Sequence, residues 1–278
     1  PATAEEAAEV AAREGSVPVA GGTDLILFLK KERVSARTVV SLRRIDEFRR
    51  VEMVPGGLFI GATVTWAEIL ASDLVRDQAE ILAKAARVLG SPQIRNVATV
   101  GGNMCTAAPS ADGAPALLVL EAMVHLVGLY GRRQVPIADF FLAPFRTVCT
   151  DSKELVAGVT IPRASLHLRG CYLKHSVRNS MDLSMLGVAA LVKVGPGGEV
   201  EEGRIALGTA GPTPLRARSA ERVLQGQRPD QSLLAAVAEA AAADSRPRSS
   251  WRASEEYRRH LVRVLTKRAL EACLLAAS

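Results

Sequence analysis

Aromatic side chains are scarce, with 2 Trp, 3 Tyr and 6 Phe making up 4% of 278 residues. That leaves few platforms on which single-stranded nucleic acid could stack, although the formal net charge is +6. Long apolar runs are also missing. The longest, residues 114–130, is broken by Glu121 and His125, short of the roughly 18 uncharged residues a membrane helix requires. A soluble chain without a membrane span is expected. The four cysteines, Cys105, Cys149, Cys171 and Cys273, form no CxxC pair, so neither a metal knuckle nor a dense disulfide framework is indicated. They read as reduced thiols, mostly packing residues, in a cytoplasmic protein. No basic segment followed by an apolar one opens the sequence, and no signal peptide is read there.

What is present is enough apolar material for a core: 48% of the residues are hydrophobic, in a length suited to one or two domains. Whole-chain disorder is excluded. The charge is uneven. Residues 1–163 carry 18 Lys+Arg against 18 Asp+Glu, whereas 164–278 carry 17 against 11. All of the basic excess therefore lies in the second part.

Apolar runs bounded by glycine predict strands at 17–20, 37–42, 58–62, 124–129 and 155–161. Helical periodicity predicts helices at 25–31, 66–71, 79–89 and 114–122, with Thr65-x-x-Glu68 as a capping box for the second. Beyond Ile161-Pro162 the pattern becomes an antiparallel meander, with strands at 172–176, 183–194 and 204–208 and a turn at 195–198. Three helices should come next, near 217–225, 231–243 and 254–277, the last carrying Tyr257, Leu261, Val264 and Leu265 on one face. This change of style places a domain boundary between 162 and 168. The predicted class is α+β.

Two glycine pairs stand out because each follows an apolar strand pattern. The first lies in Val19-Ala20-Gly21-Gly22-Thr23-Asp24-Leu25 and the second in Thr99-Val100-Gly101-Gly102-Asn103. Paired glycines admit positive φ and let a ligand approach the backbone, and successive amides in a turn form an anion-binding concavity. Two such loops could grip a diphosphate from two sides. Taken alone, a glycine pair is more often a plain turn with Thr or Asp capping the next helix. No GxxxxGK[ST] and no GxGxxG after a strand occurs, so P-loop and Rossmann readings lose their main support.

At this point the residues resemble the FAD-binding subunits of molybdenum hydroxylases, the xanthine dehydrogenase and carbon monoxide dehydrogenase medium-subunit family. The ordered series is Pro1-x-x-x-Glu5-Glu6-Ala7, the Ala20 to Leu25 loop, Ile60-Gly61-Ala62-x-x-Thr65, and Gln93-Ile94-Arg95-Asn96. It continues with the Thr99 to Asn103 loop, Pro109-x-x-Asp112, Glu154-Leu155 to Ile161-Pro162, Tyr172-x-Lys174 and Arg178-x-x-x-Asp182. It spans nearly the whole chain.

The resemblance implies a two-subdomain FAD-binding fold of the p-cresol methylhydroxylase type over residues 1–164, then a small domain of antiparallel strands and helices over 165–278. It implies that amides around Ala20 to Leu25 and Thr99 to Asn103 hold the FAD pyrophosphate, with Val19 and Val97 also among the cofactor-binding residues. It further implies that Asp112 hydrogen-bonds the cofactor, that Leu155 and Val156 lie beside the adenine, that Lys174 reaches across to the FAD, and that Cys105 sits near the isoalloxazine. His125, His167, His175 and His260 lie outside both glycine loops, so a dissociable flavin is expected. No constellation for nucleophilic or acid–base catalysis is evident. This suits an electron-transfer subunit whose cofactor carries the chemistry.

In relatives the hydroxylation occurs at a molybdenum cofactor on a large subunit, and electrons reach FAD through 2Fe-2S clusters on a small one. The implied assembly is a heterotrimer, with NAD, oxygen or a quinone as terminal acceptor. The scattered cysteines speak against an extra iron–sulfur loop in this chain, and no metal is expected. Basic segments at 30–50 and on the last helix (Arg252, Arg258, Arg259, Arg263, Lys267 and Arg268) could dock acidic partners, or be ordinary solvated charge. Two other readings compete. A stand-alone FAD oxidase of the same fold would need a substrate pocket over the flavin. A basic nucleic-acid-binding module would bind in a salt-sensitive way and hold no flavin.

Overall fold

The computed structural model describes residues 1–274, apart from the side chains of residues 151 and 152. The chain opens with a helix, Ala4–Ala11, and a parallel pair of strands, β1 (Ser16–Val19) and β2 (Thr38–Ser41). Next come β3 (Val51–Val54), β4 (Gly57–Gly61), β5 (Met123–Gly128) and β6 (Gly131–Pro136), a small hairpin of β7 (Phe141–Ala143) and β8 (Arg146–Thr147), and β9 (Leu155–Pro162). The main sheet has the order β3-β4-β9-β5-β6, antiparallel at every pairing.

Strand β9 sits at its centre and is buried from Leu155 to Ile161, because both of its faces are covered. Leu155 and Ala157 join a small core with Ala4, Ala7, Ala8 and Phe48. Val156, Val159 and Ile161 join the main core with Leu58, Trp66, Leu82 and Leu117. A near-continuous apolar run, here broken only by Thr160, is what such a doubly covered strand requires.

The helices between β4 and β5 begin where short polar side chains can cap them. Thr65 accepts from the Glu68 amide at 3.2 Å while Glu68 Oε2 accepts from the Thr65 amide at 2.7 Å, the reciprocal box expected from the spacing. Helix Trp66–Ala71 follows. The helix predicted at 79–89 is shorter, Glu80–Val88, because Ala79 leaves helical geometry at φ −145° and ψ 56°. A separate helix, Asp73–Gln78, precedes it.

The second part builds an antiparallel sheet of β10 (Arg169–His175), β11 (Leu186–Val194), β12 (Val200–Gly208) and β13 (Leu215–Arg216). Side chains alternate across β11. Leu186, Val188, Ala190 and Val192 pack with Leu234, Val237, Leu261 and Leu265 of the covering helices, and Ala189 and Leu191 pack into the first domain's core. The last helix, Glu255–Leu274, buries Leu261, Val262, Leu265, Ala269 and Leu270. The predicted face is corrected on two counts, since Tyr257 is exposed and Val264 is half-buried. Its predicted extension to 277 lies outside the described residues. Part of the basic charge on this helix is already engaged within the chain. Arg258 is buried and donates to the Met185 carbonyl, while Arg259 pairs with Glu255 and Arg263 with Glu239, each at 2.8 Å.

Helix Gly113–Val119 lies between the two parts and is buried along its whole length. Its C-terminal carbonyls, which have no partner within the helix, accept from the second part. Arg216 Nη1 donates to Leu118 O at 3.2 Å and Arg204 Nη1 to Val119 O at 3.0 Å. Guanidinium groups at that end also complement the helix dipole. This helix carries Asp112 at its other end. Among the described residues no helix is long and apolar enough to cross a membrane.

Candidate functional site

A cleft of about 460 Å³ opens between the turn after β1, helix Val100–Thr106, the start of helix Gly113–Val119 and the loop between β10 and β11. Twelve of the seventeen sequence-predicted site residues line it: Val19, Ala20, Gly21, Gly22, Thr23, Asp24, Leu25, Thr99, Gly102, Asn103, Cys105 and Asp112. Val97, Gly101, Leu155, Val156 and Lys174 do not.

The turn after β1 offers what an anionic ligand needs. Among the described residues the amides of Gly21, Gly22 and Thr23 donate to no group of the chain, so three successive N–H groups at one end of the cleft are free. Gly22 adopts φ +76°, a region glycine enters without the Cβ penalty. Gly21 is needed for a different reason: a Cβ there would lie 2.0 Å from the Val97 carbonyl oxygen. Val97 thus supports the turn from behind. Asp24 does not cap the helix it precedes; its Oδ2 accepts from Thr106 Oγ1 at 3.2 Å.

The second glycine pair departs from the expected loop. Thr99 is an N-cap, and Gly101 and Gly102 occupy the first turn of helix Val100–Thr106. Its amides are already used. Val100 N donates to Val64 O, Gly101 N to Ala62 O and Asn103 N to Thr99 O, each at 2.9 Å, and Gly102 N donates to Thr99 Oγ1 at 3.1 Å. Of the amides expected to grip a diphosphate from a second side, those of residues 100–103 are thus engaged within the chain. Gly101 is a packing position, where a Cβ would fall 2.7 Å from the Ala62 Cβ. What this helix gives the cleft is side chains. Asn103 Oδ1 is buried with no partner among the described residues, a costly state unless a ligand donor meets it. Cys105 is exposed on the cleft wall, unlike the buried Cys171 and Cys273, so the expected packing role fails there. The neighbouring Cys149 thiol pushes the Cys105 thiol well above its ordinary range, which keeps it from being a ready thiolate.

Asp112 is 6% exposed and makes no cap bond to its helix. Both of its oxygens are engaged from β10: Tyr172 Oη donates to Oδ1 at 2.9 Å and Lys174 Nζ to Oδ2 at 2.8 Å. Burial pushes the Asp112 carboxyl up, and the Lys174 ammonium and Tyr172 hydroxyl pull against it. Lys174 Nζ also donates to Val88 O at 3.2 Å and Asp182 O at 3.0 Å. All three of its donors are thus committed within the chain. Its role at the cleft is to hold Asp112, and the expectation that it reaches across to the ligand is corrected.

Sequence reasoning missed one wall. Met181, Asp182 and Leu183 of the β10–β11 loop line the cleft, held there by the bond from Met181 N to Gly90 O at 3.0 Å. The Arg178-x-x-x-Asp182 spacing is the signal that could have found it. It closes the loop on itself, with Asp182 Oδ2 accepting from the Arg178 amide at 3.0 Å. Leu27, Phe28, Leu89 and Ile94 supply apolar walls.

Residues 1–164 match the model described as the FAD binding domain in molybdopterin dehydrogenase, which makes the chain a flavin-binding oxidoreductase component. Residues 171–273 match the CO dehydrogenase flavoprotein C-terminal domain. The chain is 35% identical to the xanthine dehydrogenase FAD-binding subunit of Escherichia coli O157:H7 over 260 residues, covering 93% of this chain and 89% of that one. It is 32% identical to the glyceraldehyde dehydrogenase medium chain of Sulfolobus acidocaldarius, covering 91% and 89%. Among solved structures, carbon monoxide dehydrogenase from Hydrogenophaga pseudoflava superposes with a TM-score of 0.94 at 28% identity, covering all of this chain and 96% of that one. The chain belongs to the family of FAD-binding subunits of molybdenum hydroxylases. Its fold is the two-subdomain FAD-binding fold followed by the small C-terminal domain.

Proposed function

We propose that this chain is the electron outlet of a molybdenum-containing dehydrogenase. In this reading it joins a molybdenum-cofactor large subunit and a 2Fe-2S small subunit in a cytoplasmic heterotrimer, takes electrons from the iron–sulfur clusters, and delivers them through FAD to NAD or another acceptor. The FAD-binding domain takes in residues 1–164 and the C-terminal domain 165–278. The observation that carries the reading is the run of three unpartnered amides at Gly21, Gly22 and Thr23 in the same cleft as the buried Asp112. Free N–H groups at one end suit a pyrophosphate, and a carboxylate lower in the cleft suits a ring N–H.

The residues present fit FAD. The orphaned Asn103 Oδ1 waits for a donor, and Leu25, Leu27, Phe28, Leu89 and Ile94 offer apolar surface to aromatic rings and exclude water from them. When bound, FAD supplies the ability to take electrons singly and release them in pairs. The protein's part is to bind, orient and tune it. The rim of the cleft is apolar as well: Leu27, Met181 and Leu183 are each about half exposed. That supports a partner subunit closing over the mouth.

Purification followed by a visible spectrum, acid release and identification of the chromophore tests the cofactor reading. Intact FAD at about one per chain is expected, and a chain that takes up none from excess FAD would overturn it. The acceptor is tested by adding NADH to the FAD-loaded chain without oxygen. Bleaching of the flavin band is expected. An unbleached band that dithionite still reduces would point to a quinone or oxygen instead. Steady turnover of a small organic substrate by the chain alone would favour a stand-alone oxidase.

A further inference from the structure

Tyr172 is a second-domain residue with a first-domain partner. It and Lys174 stand two apart on β10, hence on one face of the strand, and together they hold the two oxygens of Asp112. Tyr172 and Asp112 are each 6% exposed, and the Lys174 side chain is 7% exposed. The neighbouring strand leaves space for the phenol: a Cβ at Gly187 would lie 2.6 Å from Tyr172 Oη. Burial and the adjacent carboxylate push the Tyr172 hydroxyl well above its ordinary range, so it remains a donor at every working pH.

We infer that Tyr172 is a positioning residue that fixes the orientation and ionisation of the Asp112 carboxylate in the cleft and, through it, sets the reduction potential of the flavin held there. The inference rests on the cofactor reading above. A carboxylate beside a ring that is gaining electrons disfavours their arrival, and a neutral carboxyl does so less. Without the phenol, Oδ1 is buried and uncompensated, so Asp112 takes up its proton at higher pH. The other ionisable groups around it are Lys174 from β10, Asp182 from the loop beyond, and Asp24 and Cys105 across the cleft, while Arg178 faces Asp182. Asp182 is occupied by the amides of Arg178 and Leu183, and Asp24 by Thr106.

The test is spectroelectrochemical titration of the FAD-loaded chain and its Tyr172→Phe variant from mildly acidic to mildly alkaline pH, with the affinity for FAD measured alongside. The variant is expected to keep FAD and to show a less negative midpoint potential. The shift should be confined to the pH interval between the two carboxyl pKa values, and should be absent when Tyr172→Phe is placed on Asp112→Asn. A merely structural role would move the potential equally at all pH values or not at all. An unmoved potential with FAD bound overturns the inference and leaves the cofactor reading standing. A wild-type chain that binds no FAD overturns both. If Tyr172→Phe does not fold, Gly187→Ala, which displaces the phenol without deleting it, is read by the same two outcomes.

Discussion

The two glycine pairs look alike in the sequence and do different work in the structure. At Gly21-Gly22 the backbone amides are left free and line the cleft. At Gly101-Gly102 they are consumed by Ala62 O and Thr99 Oγ1, and the pair serves to seat a helix. The difference lies in where the adjoining helix starts. Beyond the first pair, the chain turns through the left-handed Gly22 before its helix begins at Leu25. In the second, the glycines are themselves helical, and an N-cap threonine satisfies the end of the helix. A glycine pair thus signals close approach of the backbone to something. The adjoining cap decides whether that something is a ligand or another part of the chain.

The comparison breaks most visibly at the first member of each pair, since both pack against backbone. Gly21→Ala places a Cβ 2.0 Å from the Val97 carbonyl oxygen, and Gly101→Ala places one 2.7 Å from the Ala62 Cβ and 2.9 Å from its carbonyl. Backbone cannot rotate away as a side chain can. Each substitution is expected to cost about 3 kcal/mol or more, Gly21→Ala the more severe, as read by urea denaturation. The variants should differ in a second readout. Any Gly21→Ala protein that folds should lose FAD, because the turn bearing the free amides must shift, whereas folded Gly101→Ala should lose stability before affinity.

Gly22→Ala sharpens the comparison from the conformational side. A Cβ there meets only side-chain atoms, Ile26 Cγ1 at 3.5 Å and Val19 Cγ2 at 3.6 Å, yet the residue must hold φ +76°. The left-handed region costs an L-residue about 1–2 kcal/mol. A loss of that size in denaturation is expected, together with weaker FAD binding in a fluorescence titration, since relaxing the turn would misaim the amides. Unchanged affinity would mean that the free amides face something other than the cofactor.

Asp112 offers a pH comparison within the same cleft. Its carboxyl is raised above the ordinary carboxylate range by burial, so the folded state binds this proton more tightly than the unfolded chain does. The stability it contributes is complete below the unfolded value of about 3.9, and is lost as pH rises through the raised folded value. Asp112→Asn removes that contribution. The stability of the wild type relative to the variant should therefore decline as pH rises above about 4, as measured by denaturation at several pH values. A flat difference would mean that the carboxyl is not raised.

How much of this is legible in the sequence depends on whether a feature is written locally. The Thr65/Glu68 box, the strand at 155–161 and the Gly21-Gly22 turn are set by neighbours within a few residues, and spacing alone reveals each of them. The meander and the domain break are visible as a change of pattern. The fate of the amides at 100–103 is not, because Ala62 and Val64 lie some forty positions away. Nor is the pairing of Asp112 with Tyr172 and Lys174, sixty and more residues downstream. The helix Ala4–Ala11 is hidden in the sequence because its buried face is all alanine, a residue whose small apolar side chain marks no stripe.

The smallest effect expected is at Gly102, where two contributions of similar size oppose each other. A Cβ there would lie 2.8 Å from Thr99 Oγ1, the atom that caps the helix by accepting from the Gly102 amide. The threonine can rotate away, which forfeits the cap at a cost of about 1 kcal/mol. Against this, replacing glycine by alanine inside a helix returns about 1 kcal/mol through a less costly loss of backbone freedom. Gly102→Ala should therefore denature within about 0.5 kcal/mol of the wild type, well short of Gly22→Ala, which has no compensating gain. If Gly102→Ala proves as destabilising as Gly101→Ala, the Thr99 side chain is not free to turn. The cap would then be as much a part of the packing as the glycine before it.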